Sequence, residues 1–187
     1  MPLAFSLRSG ESFEFNISRR ADVPEEPFEL FEDAEVAAGE YWFTRWAMDV
    51  SSWGGRPLSG SVEMSGGDFY TGTRREVTAS GRWKTGKFLR VSGDLTHNRI
   101  TLGEGSFVVK EASGRLDFAL TPNLYGAVVG QWNSEDEEII MNFRVNWIPQ
   151  PGSDVYLVVN QLTDSDGPFW RPLRTTAVTK LVWRIAF

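Results

Sequence analysis

The chain contains no cysteine and only one histidine, His97. Without cysteine there is no disulfide framework and no thiolate metal site. One histidine cannot form the paired imidazoles of a metal centre. Any histidine-dependent nucleophilic mechanism would need a hydroxyl within hydrogen-bond reach of that single ring. The strand pattern described below sets Arg75 and Lys110, not a serine, opposite His97. No catalytic residue, metal ligand or cofactor is expected. Basic charge is also scarce: 25 Asp and Glu outnumber 19 Lys and Arg, for a formal charge of -6. Such a chain has no cationic surplus to displace counterions, which excludes nucleic acid as a general partner. No apolar run approaches the roughly 18 residues of a spanning helix. The opening Met1-Pro2-Leu3-Ala4-Phe5-Ser6-Leu7-Arg8 lacks the basic region, continuous apolar core and cleavage site of a signal peptide.

What the chain does have is alternation. Aromatic residues make up 13% of its 187 positions, with 8 Trp, and many stand at every second position. Phe13, Phe15 and Ile17 alternate with polar residues. The same holds for Trp42, Thr44, Trp46, Met48 and Val50, and for Leu58, Gly60, Val62 and Met64. It recurs in Val77, Ala79, Gly81 and Trp83, in Leu89, Val91, Gly93 and Leu95, and in Leu116, Phe118 and Leu120. Ile139, Met141, Phe143, Val145 and Trp147 complete the set. A period of two marks a strand with one apolar and one polar face. With two less regular segments, 124–133 and 155–161, about eleven strands are predicted. Leu3, Phe5 and Leu7 alternate as though the chain begins inside a strand. The apolar faces carry almost no Asp, Glu, Lys or Arg. That bias is expected of a lipid-facing surface, where Arg or Lys at mid-membrane costs roughly 2–4 kcal/mol. A soluble sandwich would show the same contrast with its apolar faces packed together.

The connections alternate in length. Ser9-Gly10, Trp53-Gly54-Gly55-Arg56-Pro57, Thr85-Gly86-Lys87, Thr121-Pro122-Asn123 and Pro149-Gln150-Pro151-Gly152-Ser153 are compact. The acidic stretch 23–39 and the Gly/Pro-bearing stretch before Arg174 fall in the other class, although 134–137 and 70–73 in that class are short. Short periplasmic turns opposite longer external loops would give this alternation. Segment 23–39, with Glu25, Glu26 and Glu35, is predicted to be a solvated external loop. It lacks the Asp-x-Asp-x-Asp-Gly spacing of a calcium loop. A tight turn at 121–123 predicts Leu120 facing Leu124, Phe118 facing Gly126 and Leu116 facing Val128. Aromatics gather toward strand ends, which suggests two interfacial girdles. Trp53, Trp83, Phe88, Trp147, Tyr156 and Phe187 fall on the short-turn side. Tyr41, Trp42, Phe69, Tyr70 and Trp132 fall on the other.

The last nine residues extend the pattern to the C-terminus. Leu181, Trp183, Ile185 and Phe187 would share one face of a strand, with Lys180 and Arg184 on the other. A closing strand that ends on an aromatic is the form expected of an assembly signal in a bacterial outer-membrane barrel. The predicted fold is all-β: an antiparallel up-and-down transmembrane β-barrel, or the C-terminal part of one, with about 10–12 strands in this chain. Its polar face would line the lumen through Arg45, Glu63, Glu76, Arg82, Arg90, Asp94, Arg115, Asp117, Arg144, Lys180 and Arg184. These could pair into a static lattice or bias which solutes pass.

Three stretches carry a family resemblance: Gly39-Glu40-Tyr41-Trp42-Phe43-Thr44-Arg45, Gly67-Asp68-Phe69-Tyr70-Thr71-Gly72-Thr73-Arg74, and residues 144–158 with their Trp147-Ile148-Pro149-Gln150-Pro151-Gly152-Ser153-Asp154 core. Across nearly its whole length the chain resembles the C-terminal barrel of large outer-membrane proteins. In these, a domain resembling family-9 carbohydrate-binding modules precedes a barrel of unknown function. The resemblance implies a barrel longer than this chain, with the export signal and binding module on an N-terminal part. It supplies no catalytic or sugar-binding residue. The expected location is the outer membrane of a Gram-negative envelope, and the expected partners are the lipid bilayer, the outer-membrane assembly machinery acting on the C-terminal strand, and a small solute or oligosaccharide. A pore or uptake channel is the first expectation. A non-conducting anchor for the binding module and a soluble lipocalin-like carrier are the alternatives. The carrier would bury Leu95, Phe143 and Trp183 together in its interior.

Overall fold

The structure is a computed structural model and describes residues 2–31, 34–103, 105–167 and 170–185. The fold is all-β. Its strands are β1 (Leu3–Ser6), β2 (Ser12–Asp22), β3 (Phe28–Phe31), β4 (Ala34–Val36), β5 (Tyr41–Ser51), β6 (Leu58–Phe69), β7 (Gly72–Thr85), β8 (Leu89–Leu102), β9 (Gly105–Thr121), β10 (Leu124–Asn133), β11 (Glu138–Trp147), β12 (Asp154–Asp164) and β13 (Arg171–Val182). Eleven of them form one up-and-down sheet in the order β1-β2-β5-β6-β7-β8-β9-β10-β11-β12-β13, and β3 pairs with β4 apart from it. Among the described residues, β1 and β13 end that order and are not paired with each other. Among the described residues no helix is long and apolar enough to cross a membrane, which says nothing about strands.

Register follows the alternation. Phe118 stands level with Gly126 and Leu116 with Val128, as the tight turn predicts. Leu124, however, pairs with Thr121 rather than Leu120, because the register shifts by one between Leu124 and Tyr125. Farther along, Val128 meets Phe143, which meets Val159, so one apolar face continues across three strands. Gly126 is fixed by this packing. A Cβ there would come within 2.3 Å of the Arg144 carbonyl and 2.6 Å of the Phe118 ring, so only glycine lets the ring lie over the backbone.

The chain divides into two compact units. The first comprises residues 1–55, 59–79 and 96–110, and the second 56–58, 80–95 and 111–187. In the first unit the acidic stretch between β2 and β5 departs from expectation. It folds as the β3–β4 hairpin, with Phe28 level with Val36, and Val36 is only 2% exposed. Leu30 packs on the buried pair Ile100 and Leu102, together with Phe69, Tyr70 and Phe107. Glu29 pairs with Glu35, and both are exposed. The glutamates made the segment read as solvated. Two strands of four and three residues are too short for their period to outweigh that composition.

Among the described residues the buried hydrophobic ones, Val36, Phe43, Ile100 and Leu102, all belong to the first unit. The second unit contributes none among the described residues. Its apolar faces stand open, Leu95 being 63% exposed and Trp183 more than half exposed. In total the chain exposes 13156 Å², against about 9,000 Å² for a folded soluble monomer of this mass. The common interior that a soluble carrier would build from Leu95, Phe143 and Trp183 is not formed: all three are exposed.

Candidate functional site

Strand parity sorts the side chains into two sets. Along β7, Thr73, Arg75, Val77 and Ala79 are exposed, whereas Arg74, Glu76, Thr78 and Ser80 are partly covered. On β7 the polar face is thus the more covered one, the reverse of a water-soluble sheet, whereas on β2 Glu14, Asn16, Ser18 and Arg20 are exposed beside half-buried Phe13 and Phe15. Arg45, Glu63, Glu76, Arg82, Arg90, Asp94, Arg115, Asp117, Arg144 and Lys180 all fall on this polar parity. Arg184 does not extend the pattern, because β13 stops at Val182. Its backbone N–H donates to Ser153 Oγ at 2.9 Å, and its carbonyl accepts from Gln150 Nε2 at 3.1 Å. Residues 183–185 are therefore tied to the 150–153 turn instead of pairing as strand. Of the proposed assembly-signal residues, Leu181 is on β13, level with Val155. Trp183 and Ile185 lie beyond it and are exposed, and Phe187 is outside the described residues.

The polar face of the first unit carries three layers along the strands. At the compact-turn side lies a row of carboxylates: Glu14 is level with Asp49, and Asp49 with Glu63. They line a recess of about 190 Å³ with Glu76. Next come three arginines from three strands, Arg20, Arg45 and Arg74, lining a second recess of about 230 Å³ with Ser18 and Ser65. At the far side an aromatic cluster closes the series. Tyr70 meets Phe28, Tyr41, Phe43 and Phe69 edge-on at 4.9–5.5 Å between ring centres. Tyr70 has a left-handed backbone (φ 48°) and donates to Asp22 Oδ2 at 2.8 Å. Removal from water, then the bond to Asp22, push its phenol above its ordinary value.

This cluster corrects the aromatic assignment. Trp42, which stacks under Arg19 at 4.7 Å, is on the apolar parity with Trp83, Trp132 and Trp147. Tyr41, Phe69 and Tyr70 instead belong to the cluster on the polar side, and so does Phe43. Both groups are aromatics near strand ends, and in sequence only the parity of Tyr41 and Phe43 with Arg45 sets them apart.

Several polar groups of the second unit pair locally, whereas Arg82, Arg90 and Lys180 have no ion pair among the described residues. Arg115 grips Asp117 at 2.7 Å. Asp94 accepts from Ser80 at 2.6 Å and Ser113 at 3.0 Å. Asn142 donates to Asn160, Asn146 reaches Tyr125 and Asp154 at 3.0 and 3.1 Å, and Arg144 stacks over Tyr156. His97 is exposed on the apolar parity. The Thr78–Thr96 and Ser80–Asp94 bonds share one register, which sets Val77, rather than Arg75, level with it. Among the described residues no group of three or more His, Cys, Asp or Glu is arranged to hold a metal ion. No family model, no curated protein and no solved structure matches the chain.

Proposed function

We propose that this sheet is, or is part of, a transmembrane β-barrel of a bacterial outer membrane that works as a solute pore or uptake channel. The parity of the sheet carries this reading: large apolar side chains such as Trp42, Trp83 and Leu95 stand exposed along one face, while most arginines and carboxylates stand on the other. The position of charge on the apolar parity supports it. Arg19, Asp68, Arg75, Arg99 and Lys110 all stand toward the end of the strands that bears the 23–40 connection. The intervening belt, from Val77 to Trp83 on β7 and from Ala112 to Leu120 on β9, has none on that parity. Charge confined to one rim is what a hydrocarbon layer of about 25 Å would leave.

The partners in this reading are the lipid bilayer, the assembly machinery that would recognise the C-terminal strand, and a small solute or oligosaccharide. The family resemblance adds a binding module displayed from the barrel. The β3–β4 hairpin favours a second reading, a non-conducting anchor, because its aromatic cluster occupies the polar side that would otherwise be open to water.

Planar-bilayer recording on the folded protein separates the two. Discrete channel events are expected, and a folded, inserted protein that gives none would overturn the pore and leave the anchor. Membrane location has its own test. Phe143→Arg should cost roughly 2–4 kcal/mol of folding in lipid vesicles, read as a loss of the folded band on unheated gels. Unchanged folding of that variant would reject a lipid-facing belt.

A further inference from the structure

We propose that the recess framed by Arg20, Arg45 and Arg74 is a binding site for a small oxyanion, a phosphate or carboxylate group. Three guanidiniums converge there from β2, β5 and β7, and the fields of Arg20 and Arg74 both act on Arg45. Like charges so placed repel, and an anion among them relieves that cost. Arg74 pairs with Glu76, which also lines the recess, and bonds Asn98 Oδ1 at 3.1 Å, while the Asp68 carboxylate offsets part of the repulsion on Arg45. Among the described residues no carboxylate lies within ion-pair distance of Arg20 or Arg45.

Arg45 is also held in place before any ligand arrives. Its guanidinium lies 4.9 Å from the Phe43 ring centre and 5.2 Å from that of Phe69, and its Nε donates to the Asp68 carbonyl at 3.1 Å. Its two terminal nitrogens have no protein acceptor among the described residues. Two such nitrogens in a fixed plane are the donor pair that recognises an oxyanion in bidentate fashion. The hydroxyls of Ser18 and Ser65 and the amide of Asn16 supply further donors in the same recess. At about 230 Å³ it holds roughly seven waters at ~30 Å³ each, so a phosphate fits with room for a small group attached to it. The carboxylate row of Glu14, Asp49 and Glu63 adjoins it and repels an anion from the next position along the wall.

The site stands on the first unit alone and does not require conduction, so it can hold where the pore fails. The test is inorganic phosphate binding to the full chain folded in detergent micelles at low ionic strength, followed by phosphorus NMR line broadening. Arg45→Gln should weaken binding about tenfold or more, as loss of a charge-assisted hydrogen-bond pair does. The Arg20 side chain makes no hydrogen bond among the described residues, so Arg20→Gln keeps the test valid where Arg45→Gln disturbs the aromatic cluster, and it too should weaken binding several-fold. Arg75→Gln, one residue from Arg74 but on the opposite face, should leave binding within twofold. Binding that survives the Arg20→Gln/Arg45→Gln pair, or that is lost in Arg75→Gln, would overturn the assignment. A hexose monophosphate that binds at least as tightly as inorganic phosphate identifies a solute-borne group as the ligand. Its exclusion identifies free phosphate.

Discussion

The two units are cut from one sheet and use the same alternation, yet they satisfy their polar faces differently. In the second, several polar groups find partners close by: Arg115 with Asp117, Asp94 with two serines, Asn142 with Asn160. Nothing apolar is buried there among the described residues. In the first, charges of one sign are grouped, carboxylates beside Glu14 and Asp49 and arginines beside Arg45, and the hairpin adds an apolar cluster over the same face. A wall that segregates its charges keeps a field available for a ligand, and the proposed anion site is placed in the first unit for that reason.

The sharpest way to break this contrast is one exchange made in both units. Phe43→Ala should cost about 3–5 kcal/mol, since the ring is 4% exposed and wedged among Tyr70, Phe69 and Arg45. Phe143→Ala, on the exposed face of the second unit, should cost far less. Urea-induced unfolding in the same lipid or detergent measures both, and equal losses would remove the distinction between a packed region and an open one.

A smaller effect comes from Tyr70. Replacing it with Phe removes the bond to Asp22, worth about 1 kcal/mol. Removal from water and the bond to Asp22 hold its phenol above the ordinary tyrosine value in the folded chain. The folded state therefore holds this proton more tightly than the unfolded one. The resulting stability is complete below the ordinary tyrosine value and is lost as pH rises through the raised folded value. Denaturation followed from pH 9 upward should show a decline in the native protein that is shallower in Tyr70→Phe. Parallel curves would place Tyr70 outside the packed cluster.

The smallest change is expected where charges are already paired. The double variant Arg115→Gln/Asp117→Asn should leave the urea midpoint nearly unchanged, because the pair is solvent-exposed on the arginine side. A large drop in that midpoint would show that the second unit, too, depends on its charges.

The alternation of Trp42, Trp46 and Val50, of Leu116 and Phe118, and of Phe143 and Trp147 was enough to define strands, turns and face polarity. Period-two patterning acts on each strand separately and needs no partner to be read. The register at Phe118 and Gly126 was legible for the same reason, since a short turn fixes its neighbours. What only the tertiary structure decided is where the 23–39 segment goes and which charges meet. Leu30 is unremarkable in sequence and gains meaning from Ile100 and Leu102, about seventy positions away. Arg20 and Arg74 were not among the predicted lumen residues, and their convergence on Arg45 depends on how three separate strands are set against one another. Local chemistry fixes the identity of a face, whereas the grouping of charges on it is set by contacts far apart in the chain.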